Sequence, residues 1–157
     1  MKINLNHYNL TTNNLMKISN VSLKAINAER YIEHGEKPKQ IRIDHNSQVK
    51  RIRPDQDKGM IEFEYTASYG AVGVIRISGS LLVHYKDIKK VASEWQETKK
   101  MPDDLAGALH TAVMHACVPE AVGIAKDLGL PPPIPLPQVR LGKKPSSVTG
   151  QLGPEVA

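Results

Sequence analysis

A chain of 157 residues, 40% hydrophobic and 24% charged, suits one folded domain with a sizeable core and excludes wholesale disorder. Its formal net charge of +5 permits an acidic partner without demanding one, and an aromatic share of 4% is low for a sheet that stacks bases. The lone cysteine, Cys117, excludes an intrachain disulfide and points to a reducing, cytoplasmic compartment. No stretch approaches the roughly 20 apolar residues that cross a bilayer, so membrane insertion is not expected.

Residues 1–14 are Asn-rich and without period, and read as a flexible arm lacking the apolar segment of a signal peptide. From Leu15 to Ile32 the apolar positions Val21, Leu23 and Ala25 alternate, then slip phase at Ile26 and Ala28, which predicts a strand with a bulge. The turn run His34-Gly35-Glu36-Lys37-Pro38 follows. A second strand is predicted with Ile41 and Ile43 on one face, resuming through Val49–Arg53 after a turn-prone Asn46-Ser47. Residues 54–59 then close it with turn chemistry. The third strand alternates most cleanly: Ile61, Phe63, Tyr65, Ala67 and Tyr69 face one way, Glu62 and Glu64 the other. Gly70-Ala71-Val72-Gly73 leads into a fourth carrying Ile75, Ile77, Leu81, Val83 and Tyr85, where Gly79 marks a bulge or a close backbone approach. Four strands with no intervening helix predict an antiparallel meander.

The period then changes. Asp87 is a candidate N-cap for a helix to about Lys100, with Ile88, Val91 and Trp95 on one side. Met101-Pro102-Asp103 breaks it and opens a second helix, with Asp103 and Asp104 at the positive end of the dipole. Leu105, Leu109, Ala112, Val113, Ala116, Ile124 and Leu128 form its apolar stripe, Pro119 should kink or split it, and Gly129 ends it. The run from Leu130 to Pro137 must be extended; Pro132 to Pro135 reads as a PxxP ligand for an aromatic-lined groove or, as the interleaved Leu130, Ile134 and Leu136 favour, the run packs back along the domain. Residues 142–157 read as a disordered tail, which leaves 15–141 as an α+β domain.

No constellation of catalytic residues emerges, and the chain is not expected to be an enzyme or to hold a cofactor. His110 and His115 are five apart on a helix and diverge, and no metal-ligand, phosphate-loop or dinucleotide motif is present. Cys117 lies amid Ala, Val and Met, the setting of an inert core thiol. The cations Lys50, Arg51 and Arg53 have two readings, a solvated face or a contact to RNA or a ribosome.

The order of elements, the fourth-strand string Ile75-Arg76-Ile77-Ser78-Gly79, and the segment Gly129-Leu130-Pro131-Pro132-Pro133-Ile134-Pro135-Leu136-Pro137 resemble the SecB family of export chaperones. There the fourth strand similarly ends in an apolar-x-apolar-x-Gly pattern, and a helix is followed by Gly-x-Pro-Pro-apolar-x-apolar-Pro. The opening run Ile18–Ala25 is similar to that family's first strand. The likeness covers about Ile18 to Arg140. It implies two helices packed on the sheet, a homo-oligomer (a dimer or a dimer of dimers), and apolar grooves that hold unfolded polypeptides without ATP. Candidate polypeptide-binding residues are Phe63, Tyr65, Tyr69, Val72, Trp95, Leu130, Ile134 and Leu136. Members that deliver clients to the SecA motor are acidic, whereas this chain is basic, which suits an outlier of archaeal or toxin–antitoxin-associated type. The alternative is a ribosome- or RNA-associated factor using Lys50, Arg51 and Arg53.

Overall fold

The computed structural model describes residues 16–134; the predicted arm, the predicted tail and Leu136 lie outside the described residues. In order come β1 (Met16–Arg30), β2 (Asp44–Asp55), β3 (Lys58–Ser68), β4 (Gly73–Tyr85), α1 (Ile88–Thr98) and α2 (Asp103–Asp127). This is the expected four-stranded antiparallel sheet followed by two helices.

Strict alternation aims the odd-numbered residues of β3 and β4 at the helices. Ile61, Phe63, Tyr65, Ala67, Ile75, Ile77, Leu81 and Val83 are all buried, together with Leu105, Leu109, Val113, Cys117, Ala121 and Ala125 of α2. The even positions carry Glu62, Glu64, Arg76, Ser78 and Ser80 on the opposite face. There Glu62 pairs with Arg53 at 2.8 Å and Glu64 with Lys50 at 3.1 Å.

The sheet order is β1-β4-β3-β2, so the meander runs only through β2, β3 and β4. β1 pairs with β4 instead of β2. Residues 31–43 carry the chain from one edge to the other, a span of about 14 Å at the usual strand spacing. This crossing passes the β3–β4 turn, where the Tyr31 amide donates to the Val72 carbonyl at 2.8 Å.

β1 shifts register twice, between Ser19 and Ser22 and between Leu23 and Ala25. The second shift leaves Leu23, Ile26 and Ala28 opposite Gly79, Ile77 and Ile75, on the helix side, and turns Ala25 away. The phase slip predicted from Ile26 is therefore real but begins at Lys24. Gly79 explains the neighbouring irregularity, because a Cβ there would run into the Ser22 carbonyl oxygen and come within 2.7 Å of the Phe63 ring.

Asn46-Ser47 does not turn: β2 is continuous, and the two residues pair with Thr66 and Tyr65. A ladder to a well-formed neighbour outweighs their local turn preference. Ile41 and Ile43 precede the strand and pack on the core. Turn chemistry at 54–59 narrows to a hairpin at Gln56 and Asp57, with Pro54 opposite Gly59.

Asp87 does not cap α1 through its side chain; it is left-handed (φ 60°) and its carbonyl accepts from the Lys90 and Val91 amides. α2 runs unsplit through Pro119, held on both sides of the proline by the packing of Val113, Cys117, Ala121 and Ala125. By length and composition α2 also passes as a membrane span, contrary to the expectation from the sequence, although its Leu105–Ala125 row lies in this domain's own core. It ends as predicted at Gly129 (φ 64°) in a Schellman motif, Gly129 N–H to Lys126 O and Leu130 N–H to Ala125 O.

Candidate functional site

Two surface features stand out, one at each end of the strands. The first is a cleft of about 230 Å³ beside the C-terminus of α2, lined by Arg30, Ile32, Pro38, Ile41, Val72 and Pro131 among others. Its frame is Arg30, the last residue of β1. Its Nη1 donates to the Leu128 and Gly129 carbonyls at 3.1 and 2.8 Å, Nε to Ile32 O at 3.0 Å, and Nη2 to Glu33 O at 3.2 Å. One cation thus satisfies orphan carbonyls at the negative end of α2 and fixes the start of the 31–43 crossing. Tyr69 adds a second tie, its hydroxyl donating to Pro131 O at 2.9 Å. Pro133 and Leu130 are buried, so the proline segment packs back on the domain as far as the described residues extend. Tyr31 (53% exposed) and Ile134 (40% exposed) flank these elements in solvent.

The second feature is a groove of about 440 Å³ between β2 and α1, lined by Lys50, Arg51, Ile52, Lys89, Ala92 and Trp95 with their neighbours. A bulge distorts β2 here. The β2–β3 register shifts between Val49 and Arg51, leaving Lys50 as the extra residue. Without it, Lys50 and Arg51 would point to opposite faces; with it, both reach the open face, Lys50 to Glu64 and Arg51 toward Glu62 at 4.0 Å. Trp95 is half-buried, and Lys99 Nζ stands 4.0 Å from its ring centroid.

The predicted polypeptide-binding residues therefore divide. Phe63, Tyr65, Tyr69, Val72 and Leu130 are buried, the first three at 0–2% exposure beneath α2, so of these five only Val72, at the wall of the cleft, is within reach of a guest. They share the face that α2 covers, which is why alternation alone marked them. Of the others within the described residues, Ile134 is exposed and Trp95 partly so. Trp95 and the pair Lys50 and Arg51, read separately in the sequence, meet in one groove, while Arg53 turns to Glu62. Arg30 escaped sequence reading, since no local pattern shows that a strand-end cation will meet a helix end roughly a hundred residues on.

Nothing resembles a reaction centre among the described residues. No group of three His, Cys, Asp or Glu could hold a metal. Burial pushes the Cys117 thiol up to about 12, with the Glu120 carboxylate adding to it, so it carries no thiolate at neutral pH. Burial likewise raises Tyr65 and takes Tyr69 to about 12. His45 Nδ1 and the Tyr65 hydroxyl share a 2.7 Å hydrogen bond, and His110 Nδ1 and Ser47 Oγ one of 2.6 Å that ties α2 to β2.

The four-stranded sheet with β1 beyond β4, the crossing at residues 31–43 and the helix pair together define a SecB-like fold. The chain is similar to the solved structure of a SecB-like chaperone from Mycobacterium tuberculosis in complex with a ChAD peptide from an antitoxin. The TM-score is 0.50 at 14% identity, over 83% of this chain and 93% of that one. No family model and no curated protein matches the chain.

Proposed function

We propose that this protein is a SecB-like chaperone that holds extended apolar stretches of non-native polypeptides without nucleotide hydrolysis. The observation that carries the reading is the cleft framed by Arg30. It is a concavity between two tied elements, with Ile32, Pro38, Ile41, Val72 and Pro131 as its apolar wall and Arg30, Glu36 and Lys37 as its charged part; Tyr31 and Ile134, next to these elements in the chain, are exposed. A side chain entering it would leave water against Ile32, Ile41 and Val72, and successive weak contacts of this kind add through avidity when copies associate. A homo-oligomer working in the cytoplasm belongs to the same reading. α2 supports it from another side, because Met114, Val118 and Val122 leave apolar side chains only part-buried on this helix. The RNA alternative draws less support, since Lys50 and Arg53 are held by Glu64 and Glu62.

The test is suppression of aggregation of a reduced, unfolded protein by the full chain. Tyr31→Asp and Ile134→Asp alter exposed positions and should leave the circular dichroism intact while weakening suppression about fivefold or more. Equal suppression by folded variants would overturn the assignment. Light scattering should give a mass of two or more chains that rises on mixing with the client.

A further inference from the structure

We propose that the groove between β2 and α1 is a second polypeptide site, selective for an extended segment that carries carboxylates beside an apolar side chain. It extends the chaperone reading to a different surface and to a defined chemistry of client. Lys50, Arg51 and Lys89 line the groove and no carboxylate does, but Lys50 and Arg51 turn their charged ends to Glu64 and Glu62, which leaves Lys89 as the cation that faces a guest. Lys99 adds a fourth positive charge at the ring of Trp95. Ile52, Ala92 and the indole supply the apolar part of the wall. Lys89 takes part in no ion pair among the described residues, so its ammonium is available to an incoming anion.

The placement favours a strand-like guest. β2 is an edge strand, paired within the sheet to β3 alone among the described residues, and the groove follows it from Lys50 to Pro54. An extended segment beside it would present alternate side chains to the groove, an acidic one to Lys89 and an apolar one against Trp95. The same geometry disfavours a nucleic acid. Glu62 and Glu64 stand within 4.0 Å of Arg51 and 3.1 Å of Lys50, so a backbone charged at every step would meet these carboxylates as well as the cations. A peptide can place one or two charges where only lysines face it. One half-buried indole is also too few rings to stack a run of bases.

Trp95 is the single tryptophan of the chain, so its fluorescence reports on the groove directly. The full chain would be titrated with three probes: a five-residue peptide alternating Glu with Ile, too short to reach the cleft, its counterpart with Lys for Glu, and a twelve-nucleotide oligouridylate. The acidic peptide should change Trp95 emission and bind at least tenfold tighter than the lysine peptide. Lys89→Glu should cost it about tenfold, whereas Lys24→Glu, the same charge change on the far edge strand, should cost no more than about twofold. Equal losses from the two variants would reduce the effect to net charge and overturn the proposal. So would preference for the lysine peptide, tighter binding of the oligouridylate, or no response of Trp95 to any probe. The Tyr31→Asp and Ile134→Asp variants should bind the acidic peptide as the parent does, which keeps failure of the groove separate from failure of the apolar cleft.

Discussion

Replacing Arg30 by Met keeps most of the side chain's apolar stem and removes its guanidinium, which isolates what the cation does. Four carbonyl oxygens lose their donor, those of Ile32, Glu33, Leu128 and Gly129. A hydrogen bond to a charged group is worth about 1.5–3 kcal/mol when it cannot be replaced. The bonds to Ile32 and Leu128 are part-buried, whereas those to Glu33 and Gly129 are exposed and water can substitute for them. Counting mainly the part-buried pair, and adding the lost attraction to the C-terminus of α2, the cost is about 3 kcal/mol. With a urea dependence of about 2 kcal/mol per molar, the unfolding midpoint should fall by about 1.5 M at fixed protein concentration. Arg30→Lys keeps the charge but not the fork, and should fall about halfway between. A midpoint for Arg30→Met within about 0.3 M of the parent would show that the four bonds do not hold the crossing to the helix. A lysine variant equal to the parent would show that charge alone suffices.

Two other consequences are open to measurement. Gly79→Ala drives a methyl into the Ser22 backbone oxygen and the Phe63 ring, neither of which can yield cheaply, and should cost about 3 kcal/mol. Gly123→Ala, where a Cβ meets nothing within 4 Å on α2, should instead stabilise by about 1 kcal/mol; the two midpoints moving the same way would contradict this packing. Stability should also fall in alkali. Cys117 and Tyr69 titrate near 12 in the folded chain against ordinary values of 9 and 10, so above about pH 9 the folded state keeps protons that the unfolded state releases. Their contribution is complete below that pH and is lost at about 1.4 kcal/mol per pH unit for each group as pH climbs through its window. Cys117→Ala should move the onset to about pH 10; midpoints unchanged up to pH 11 in the parent would refute the burial argument.

What could be read from sequence divides by the range of the physics. The covered faces of β3 and β4 were legible because a strand with one covered face must alternate, although Tyr69 lies just past the end of β3 and Val74 is buried against the alternation. The end of α2 was legible for the same reason, a glycine being needed at φ 64°. The bulges were legible only as disturbances: Ile26 showed that the phase slips, but which residue is extruded depends on Gly79 across the ladder. The neighbour of β1 was not legible at all. Nothing local in its sequence says whether it pairs with β2 or β4; in the structure it pairs with β4, and Arg30 at its end meets α2. For the candidate sites the limit was direction. Periodicity found the large apolar side chains, and these are the ones the protein covers itself.

The strands that separate the two surface features also set the distance between them. The cleft lies by the β3–β4 turn at Val72, and the groove by the opposite end of the sheet, where Gly59 packs on Ile88 of α1. Strand β3 connects these ends, so they stand about 25–35 Å apart at the rise of an extended chain. A folded client cannot present so long a bare backbone, but a non-native segment of about ten residues can. If one such segment occupies both places, its apolar side chains enter at Val72 and its carboxylates at Lys89, and each contact raises the effective concentration of the other. A single peptide joining the two chemistries should then bind much more tightly than either half, and the gain should vanish when the spacer is shortened to about four residues. Equal affinity for long and short spacers would mean that the two places act separately.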